Sequence, residues 1–283
     1  MKKFLRGIVG IMIMMGVCIA LKITAHGIRW GGEEYAVKLC VSEQTAVKTA
    51  DTARLKTAGT EEFDAEDRVM QIVYQLARRS IVKVVVKDAA GSGIVWKIED
   101  GIVIVSNRHL LMKDVAAEIG FGNGESVTAE VIGYSQQYDI GFVKVPEESA
   151  TDNILRDIYE AVPDLYETES EDARAAFTSQ YAARRVMQVG ALIDRNTANI
   201  STGSVSGLKY MPLFNTTVLE TACYSRAGMS GGGVFDEGGH FLGMISGGEV
   251  PEDAQTREAE ITYSIPPALI AAEYKEVRNR TTP

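Results

Sequence analysis

The sequence predicts an all-β protein, a barrel or sandwich of short strands. Ten short runs rich in β-branched and other apolar residues are separated by turn-forming glycine, asparagine and aspartate residues. A helical pattern does not follow each run, as a parallel α/β sheet would require. The predicted strands are IVKVVV (81–86), GIVWKI (93–98), IVIVS (102–106), TAEVIGY (128–134), DIGFVKV (139–145), RVMQVG (185–190), TGSVSGL (202–208), TTVLE (216–220), HFLGMIS (240–246) and ITYSI (261–265).

Helices are predicted at both ends of this strand-rich region. Before the first strand, four apolar residues recur at helical spacing behind acidic residues suited to a first helical turn. These four are Val69, Ile72, Val73 and Leu76. After the last strand, the segment from Pro266 to Val277 has proline at its start and predicts a C-terminal helix that packs on the strands.

The N-terminus carries an export signal. Basic residues precede Gly7–Leu21, a stretch of 15 residues without charge. Residues 4–21 approach the roughly 20 residues that span a bilayer, but Arg6 interrupts them, so the length falls between that of a cleaved signal peptide and that of a retained anchor. Ile23-Thr24-Ala25 is a poor cleavage site. Residues 1–25 are therefore predicted to be a retained signal anchor in the cell membrane, with the basic end inside and the following chain outside the cytoplasm. Cleavage would instead give a secreted protein, and a buried core helix is the third interpretation.

The segment after the anchor differs in composition from the rest of the chain. Residues 26–62 mix polar, charged and small side chains without a sustained apolar period. A segment of this kind is typical of a linker or stalk. The folded domain is therefore predicted to begin at residue 63 and to extend to residue 283.

Composition excludes several functional classes. The 38 acidic and 29 basic side chains give a net charge of −9, which argues against a nucleic-acid partner because phosphate contacts need clustered lysine and arginine. The three histidines and three cysteines lie too far apart for a C-x-x-C or H-E-x-x-H metal motif. No metal or cofactor is therefore predicted, and a single Cys40–Cys223 disulfide bond is the most that the cysteines allow.

Three short motifs carry candidate catalytic residues, in the order histidine, aspartate, serine. His109 follows a predicted strand in SNRHL (106–110), Asp139 opens another strand, and Ser230 lies in GMSGGG (228–233). A serine hydroxyl becomes nucleophilic when a neighbouring imidazole removes its proton, and a carboxylate orients that imidazole. Glycines near the serine allow backbone N–H groups to converge on a developing oxyanion. Each motif alone would more often be structural, so the prediction depends on their joint occurrence.

The serine motif also fits the G-x-S-x-G nucleophile elbow of α/β-hydrolases, through Gly228, Ser230 and Gly232. An elbow serine needs its acid and its histidine downstream. Only His240 follows, inside the next predicted strand, and 53 residues remain after Ser230. That length is too short for the usual alternating strands and helices, so the order of the residues argues against a hydrolase of this class.

Three segments resemble the trypsin-like serine proteases, most closely the HtrA/Deg branch of bacterial extracytoplasmic proteases. They are GSGIVWKIEDGIVIVSNRHLL (91–111), YDIGFVKV (138–145) and ETACYSRAGMSGGGVFDEGGHFLGMISG (220–247). Their occurrence in this order, within roughly residues 63 to 270, makes the resemblance specific. Only 36 residues follow Gly247, so a PDZ-like domain is not expected.

The resemblance implies a trypsin-like fold of two six-stranded antiparallel β-barrels with the active-site cleft between them. It implies His109 as the general base, Asp139 as the acid that orients it, and Ser230 as the nucleophile. The amides of Gly228 and Ser230 are implied as the oxyanion donors. The first two residues would belong to the first barrel and the serine to the second.

The serine loop departs from the family pattern in three places. Met229 stands where the family usually has asparagine or aspartate, Gly233 where it usually has proline, and Arg226-Ala227 where the branch tends to have Asn-Pro. None of these departures removes a reacting group. Glycine in place of proline makes the loop after the serine more flexible.

Substrate recognition is implied by the resemblance in outline. Polypeptides are the implied substrate class. The walls of the specificity pocket are implied at Ala222–Ala227 and at Ile245-Ser246-Gly247. Neither segment contains an acidic residue that would select lysine or arginine, which favours a small or medium apolar residue before the cleaved bond.

Most of the net charge lies in an acidic insertion, residues 147–180, between the two expected barrels. Residues 147–174 contain ten acidic side chains and two arginines, so the rest of the chain is almost neutral. Ile154, Ile158 and Val162 are spaced as in a partly helical segment. Two interpretations are open, a solvated mobile loop and an acidic flap near the cleft that favours basic substrates or binds a cation.

Two functions from different classes follow from this sequence. The first is a membrane-tethered, extracytoplasmic serine endopeptidase that acts through an acyl-enzyme intermediate. The second is a catalytically weak or inactive protease-fold module that binds or scaffolds other proteins at the cell surface. The complete set of His109, Asp139 and Ser230 favours the first, because a scaffold has no chemical need for all three.

Overall fold

The computed structural model describes residues 65–191, 199–249 and 259–281, and their strands close into two six-stranded antiparallel barrels. The predicted fold class is therefore confirmed, with a helix before the barrels and another after them. The described residues belong to one compact unit, Phe63–Pro283.

The first barrel has the strand order β1-β2-β3-β6-β5-β4, closed by pairing of β4 with β1. Alternate side chains of β1, namely Val82, Val84 and Val86, are buried in its interior, as the two-residue period of a strand requires. Its strands are β1 Ile81–Val86, β2 Ala89–Ile98, β3 Ile102–Ser106, β4 Ala116–Gly120, β5 Ser126–Tyr134 and β6 Gly141–Val145.

The second barrel repeats this arrangement, with the strand order β7-β8-β9-β12-β11-β10 and closure of β10 on β7. Its strands are β7 Arg185–Val189, β8 Ile200–Met211, β9 Thr216–Ala222, β10 Gly233–Asp236, β11 Phe241–Glu249 and β12 Ile261–Ile265.

One buried apolar cluster joins the two barrels. Trp96 and Phe142 from the first barrel share it with Phe235 and Phe241 from the second. The rings of Trp96 and Phe241 meet edge to face, with 6.5 Å between centroids, a geometry that aromatic pairs favour. This core fixes the relative position of the two barrels and so the cleft between them.

The N-terminal helix α1 (Ala65–Ala77) presents a different face to the core than the sequence pattern indicates. Met70, Val73 and Ala77 are buried in the shared core, whereas Val69 and Ile72 are 39% and 42% exposed. The predicted helix is confirmed, and Val73 is the one residue of its apolar pattern that is fully buried. Met70 and Ala77 lie three residues before and four after Val73, so the three form one helical stripe.

The C-terminal helix α5 (Pro267–Thr281) continues from the last strand of the second barrel and packs on the first. Its Val277 is buried against Gly133, where an added Cβ would lie 2.8 Å from the valine. Tyr274 packs on Phe142, with 5.3 Å between ring centroids. The predicted helix is confirmed and ties the two barrels together a second time.

The acidic insertion is packed against the barrels, and the solvated-loop interpretation is therefore wrong. It contains a 3-10 turn at Glu147–Ser149, helix α3 (Asp152–Asp157) and helix α4 (Glu171–Tyr181). Pro163 forms a parallel bridge with Phe241. Its Ile154 and Ile158 are buried in the core of the first barrel, and Glu160 forms an ion pair with Lys97 of β2 at 3.2 Å.

Aromatic residues of the insertion pack on and hydrogen-bond to the second barrel. Tyr166 donates its hydroxyl hydrogen to the carbonyl oxygen of Leu242 at 2.6 Å, and burial raises the pKa of this phenol well above its usual value. The phenol therefore stays protonated as a donor. Phe177 stacks on Tyr181 with 4.5 Å between ring centroids, and both are buried.

The predicted signal anchor (1–25) and linker (26–62) lie outside the described residues, as does Cys40. In the part of the chain that the structure describes, no helix is long and apolar enough to cross a membrane.

Candidate active site

The pairing of β3 with β6 brings the predicted histidine and aspartate together. Ser106 at the end of β3 lies opposite Gly141 at the start of β6. His109 follows in the short helix α2 (Arg108–Leu111), and Asp139 lies just before β6. The antiparallel register therefore places residues 30 positions apart at the same end of the first barrel.

Asp139 holds His109 through both the ring and the backbone. The backbone N–H of His109 donates to Asp139 Oδ1 at 2.9 Å. The ring Nδ1 lies 3.1 Å from Oδ1 and 2.9 Å from Oδ2. A carboxylate can only accept, so the ring hydrogen is on Nδ1 and Nε2 is free to take a proton. The His109 side chain is 55% exposed, which leaves that nitrogen accessible.

The loop that carries Asp139 is closed by its own hydrogen bonds. Ser135 Oγ accepts the backbone N–H groups of Gln137 and Tyr138 at 3.1 and 3.0 Å. The Ser135 N–H donates to the carbonyl oxygen of Ile140 at 2.8 Å. These bonds fix the backbone on both sides of the carboxylate.

A second-barrel residue, Ser246 on β11, completes the surroundings of Asp139. Its Oγ donates to Asp139 Oδ2 at 2.7 Å. The resemblance implied Ser246 in a wall of the specificity pocket and did not imply this contact. In the sequence, Ser246 is a hydroxyl in the predicted strand HFLGMIS (240–246), which indicates a group that needs a partner but not which one.

Ser230 lies in the loop between β9 and β10, against strand β2 of the first barrel. The Ser92 N–H donates to the Ser230 carbonyl oxygen at 2.8 Å. A Cβ on Gly91 would lie 3.2 Å from that oxygen and 2.8 Å from Leu110, the residue after His109. The serine and the histidine helix therefore approach the same point on β2. Among the described residues no hydrogen bond joins Ser230 Oγ to the His109 ring, and in unliganded enzymes such bonds are often long.

The two implied oxyanion donors are the amides of Gly228 and Ser230. Within the described residues neither amide donates a hydrogen bond. The neighbouring amides are engaged, because the N–H groups of Gly231 and Gly232 donate to Ile245 and Met229 at 2.8 Å. The loop is thus anchored while the two amides that an oxyanion would need stay available.

Ser92 is a buried hub that connects the first barrel to this loop. Its Oγ donates to the Gly228 carbonyl oxygen at 2.6 Å and accepts the Ala191 N–H at 2.8 Å. Its carbonyl oxygen accepts from Ser106 Oγ at 2.6 Å. In the sequence, Ser92 stands out only as part of the family-like segment 91–111. Its contacts orient the peptide that follows Gly228.

Among the described residues, the Cys223 thiol is not a second candidate nucleophile. The Cys223 thiol is buried, and burial raises its pKa to about 11, so it is protonated at neutral pH. Among the residues that the structure describes, no three His, Cys, Asp or Glu side chains group closely enough to hold a metal ion.

The family model for the trypsin-like peptidase domain matches residues 91–244, more than half of the chain. This chain belongs to that family. The matched range contains the histidine, aspartate and serine motifs together with the amides of the serine loop. A search of curated proteins finds no match for this trypsin-like peptidase.

Solved structures of HtrA-type and related proteases share the fold at low sequence identity. The HtrA-type protease AlgW with a tripeptide matches with a TM-score of 0.59 and 13% identity over 75% of this chain and 64% of that one. Rv3671c from M. tuberculosis H37Rv, a serine-to-alanine mutant in an inactive form, matches with a TM-score of 0.56 and 16% identity over 80% and 98%. A serine endoprotease from Yersinia pestis matches with a TM-score of 0.56 and 17% identity over 77% and 68%. These structures show the shared fold, and the family match over residues 91–244 confirms the resemblance to the trypsin-like family.

Proposed function

We propose that this trypsin-like peptidase is a serine endopeptidase that acts on extracytoplasmic polypeptides through an acyl-enzyme intermediate. His109 removes the proton of Ser230, whose oxygen attacks the scissile carbonyl carbon. Asp139 holds the ring and stabilises the imidazolium that forms. His109 then gives the proton to the leaving amine. In the second half of the reaction His109 removes a proton from water, and the water oxygen attacks the acyl carbon. The proton returns to Ser230 as the acid is released. The amides of Gly228 and Ser230 bind the oxyanion in both steps.

The observation that carries this proposal is the pairing of His109 with Asp139. The carboxylate receives donors from the backbone N–H of His109, from its ring and from Ser246. This arrangement leaves Nε2 as the only basic atom of an exposed ring. The ring contact with Asp139 sets this tautomer, and the loop of Ser230 packs on the same glycine of β2, Gly91, as Leu110, the residue after His109.

A fluorophosphonate probe tests the assignment of the nucleophile. The probe phosphonylates a serine whose hydroxyl is activated by a neighbouring base, so the unsubstituted protein is expected to be labelled at Ser230. Ser230→Ala is expected to abolish labelling, whereas Ser126→Ala, which removes an exposed serine of β5, should be labelled as fully as the original. A folded protein that takes no label, and cleaves no unfolded polypeptide, would instead indicate the scaffold function.

We further propose that residues 4–21 tether the enzyme to the cell membrane, with the protease domain outside the cytoplasm. The support is the basic start and the uncharged stretch after it. Sequencing the N-terminus of the full chain after expression in a bacterium is expected to find it intact and in the membrane fraction. A soluble chain that begins near His26 would contradict the anchor and indicate a secreted enzyme.

A further inference from the structure

Asn107 stands where a residue usually caps a helix, yet its side chain does not do so. It is the N-cap of α2, and no side-chain cap hydrogen bond is present. Asparagine is among the most favoured N-cap residues because its side-chain oxygen accepts a free N–H of the first turn. Here the side chain is completely buried and directed toward the second barrel. Instead of capping its own helix, the side chain contacts a residue far along the chain.

The amide nitrogen of Asn107 bridges two groups that surround the carboxylate of Asp139. It donates to Ser246 Oγ at 2.9 Å and to the backbone carbonyl oxygen of Asp139 at 3.3 Å. The carbonyl oxygen can only accept, so the nitrogen and not the oxygen of the amide faces this pair. The amide oxygen is buried without a hydrogen-bond partner among the described residues.

We propose that Asn107 is a positioning residue of the active site, which acts on His109 through Ser246 and Asp139. The inference rests on the proposed function. Ser246 Oγ accepts from Asn107, and its single hydrogen is then directed to Asp139 Oδ2 at 2.7 Å. A hydroxyl that accepts a hydrogen bond also donates a stronger one. The chain of donors therefore runs from Asn107 through Ser246 to the carboxylate of Asp139, which also accepts from the ring of His109.

The unpaired oxygen of Asn107 argues against a purely structural role. A buried polar atom without a partner destabilises the fold, and an apolar side chain of similar size would avoid that cost. Leucine nearly matches asparagine in shape and would fill the same space. What leucine cannot supply is the pair of N–H donors, and these are the groups that contact Ser246 and Asp139.

The test replaces Asn107 by leucine and measures peptide hydrolysis. Leucine removes both hydrogen bonds of the amide nitrogen, to Ser246 and to the Asp139 carbonyl oxygen. Because the first belongs to a chain that ends on a charged group, kcat is expected to fall about tenfold. KM should stay within about twofold of the original because no substrate contact changes. The His109 Nδ1–H resonance, followed by NMR, is expected to shift. Asn153→Leu, which changes an exposed asparagine of α3, should alter neither quantity.

Ser246→Ala, alone and combined with Asn107→Leu, tests the route of the effect. If Asn107 acts through the hydroxyl, the double variant loses no more kcat than the larger single loss. Additive losses would overturn the proposal, as would an Asn107→Leu enzyme with unchanged kcat or with a raised KM alone. If Asn107→Leu does not fold, Asn107→Ala removes the same donors and takes its place.

The resonance of His109 separates this inference from the proposed function. An unsubstituted protein that neither hydrolyses peptides nor takes the fluorophosphonate label would remove the proposed function. In that case a shifted Nδ1–H resonance in Asn107→Leu still supports the coupling of Asn107 to His109 through Ser246 and Asp139. An unshifted resonance rejects that coupling. If the unsubstituted enzyme is active and labelled but Asn107→Leu leaves kcat unchanged, only the positioning role of Asn107 is rejected.

Discussion

Asp139→Asn is expected to lower kcat about ten-thousand-fold while the fold is retained. The reason lies in the donors around the carboxylate. Oδ1 accepts the backbone N–H of His109, which cannot turn into an acceptor, so the new NH₂ group must take the Oδ2 position. Oδ2 is the oxygen nearer to the ring Nδ1, at 2.9 Å. Faced with a donor, Nδ1 becomes the acceptor and the ring hydrogen moves to Nε2.

The wrong tautomer leaves His109 unable to take the proton of Ser230. The effect should therefore appear in kcat and in the rate of fluorophosphonate labelling, with KM little changed. Both are measured on protein whose thermal unfolding matches the original. Activity within about tenfold of the original would show that Asp139 does not orient the base, and would remove His109 from its assigned role.

A second histidine–aspartate pair provides a matched control for this prediction. Asp236 accepts the backbone N–H of His240 at 2.8 Å, and the ring Nδ1 lies 3.2 Å from both carboxylate oxygens. The exposure of this pair, 52% and 13%, is close to the 55% and 19% of His109 and Asp139. Asp236→Asn makes the same chemical change away from Ser230, so kcat should stay within about twofold.

The hydrophobic pattern of the sequence predicts ten of the twelve strands in the described residues. For three of these, β1, β3 and β12, the predicted first and last residues are those observed. The two that it misses are β4 and β10, the strands that close the barrels. The sequence of β4, AAEIG, has little of the β-branched character that marks a strand. The four residues of β10, GVFD, follow a glycine-dense loop. Each pairs with the next strand in sequence, β5 for β4 and β11 for β10, and also with a strand far along the chain, β1 for β4 and β7 for β10.

The pairing of His109 with Asp139 could be predicted because chemistry limits which residue types serve as a base and as the acid that orients it. The supporting hydroxyl of Ser246 could not. It lies 139 positions from its partner Asn107, and the register of β11 shifts between Ile245 and Gly247. A bulge changes the face to which a side chain points. Sequence alternation therefore does not reveal which buried hydroxyl faces Asp139.

Gly231→Ala is expected to lower the free energy of unfolding by about 3–5 kcal/mol, because this glycine packs directly on another strand. Its φ is +83°, and an added Cβ would lie 2.0 Å from the Ser92 carbonyl oxygen and 2.6 Å from Ser106 Oγ. Both neighbours are buried, and Ser92 is held by its pairing with Lys83 of β1. Strand β2 cannot move aside, so the serine loop must shift. Urea unfolding measures the loss.

Gly124→Ala separates the steric part of this effect from the backbone part. Gly124 has a similar φ of +92°, but nothing lies within 4 Å of an added Cβ. Its substitution is expected to cost about 1–2 kcal/mol for the left-handed backbone alone, and the lower entropy of the unfolded chain is common to both variants. The difference between the two losses is therefore the cost of separating the loop from β2. Equal losses of unfolding free energy in Gly231→Ala and Gly124→Ala would show that the serine loop moves away from β2 without strain. The contact of Ser230 with Ser92 would then not hold the nucleophile in place.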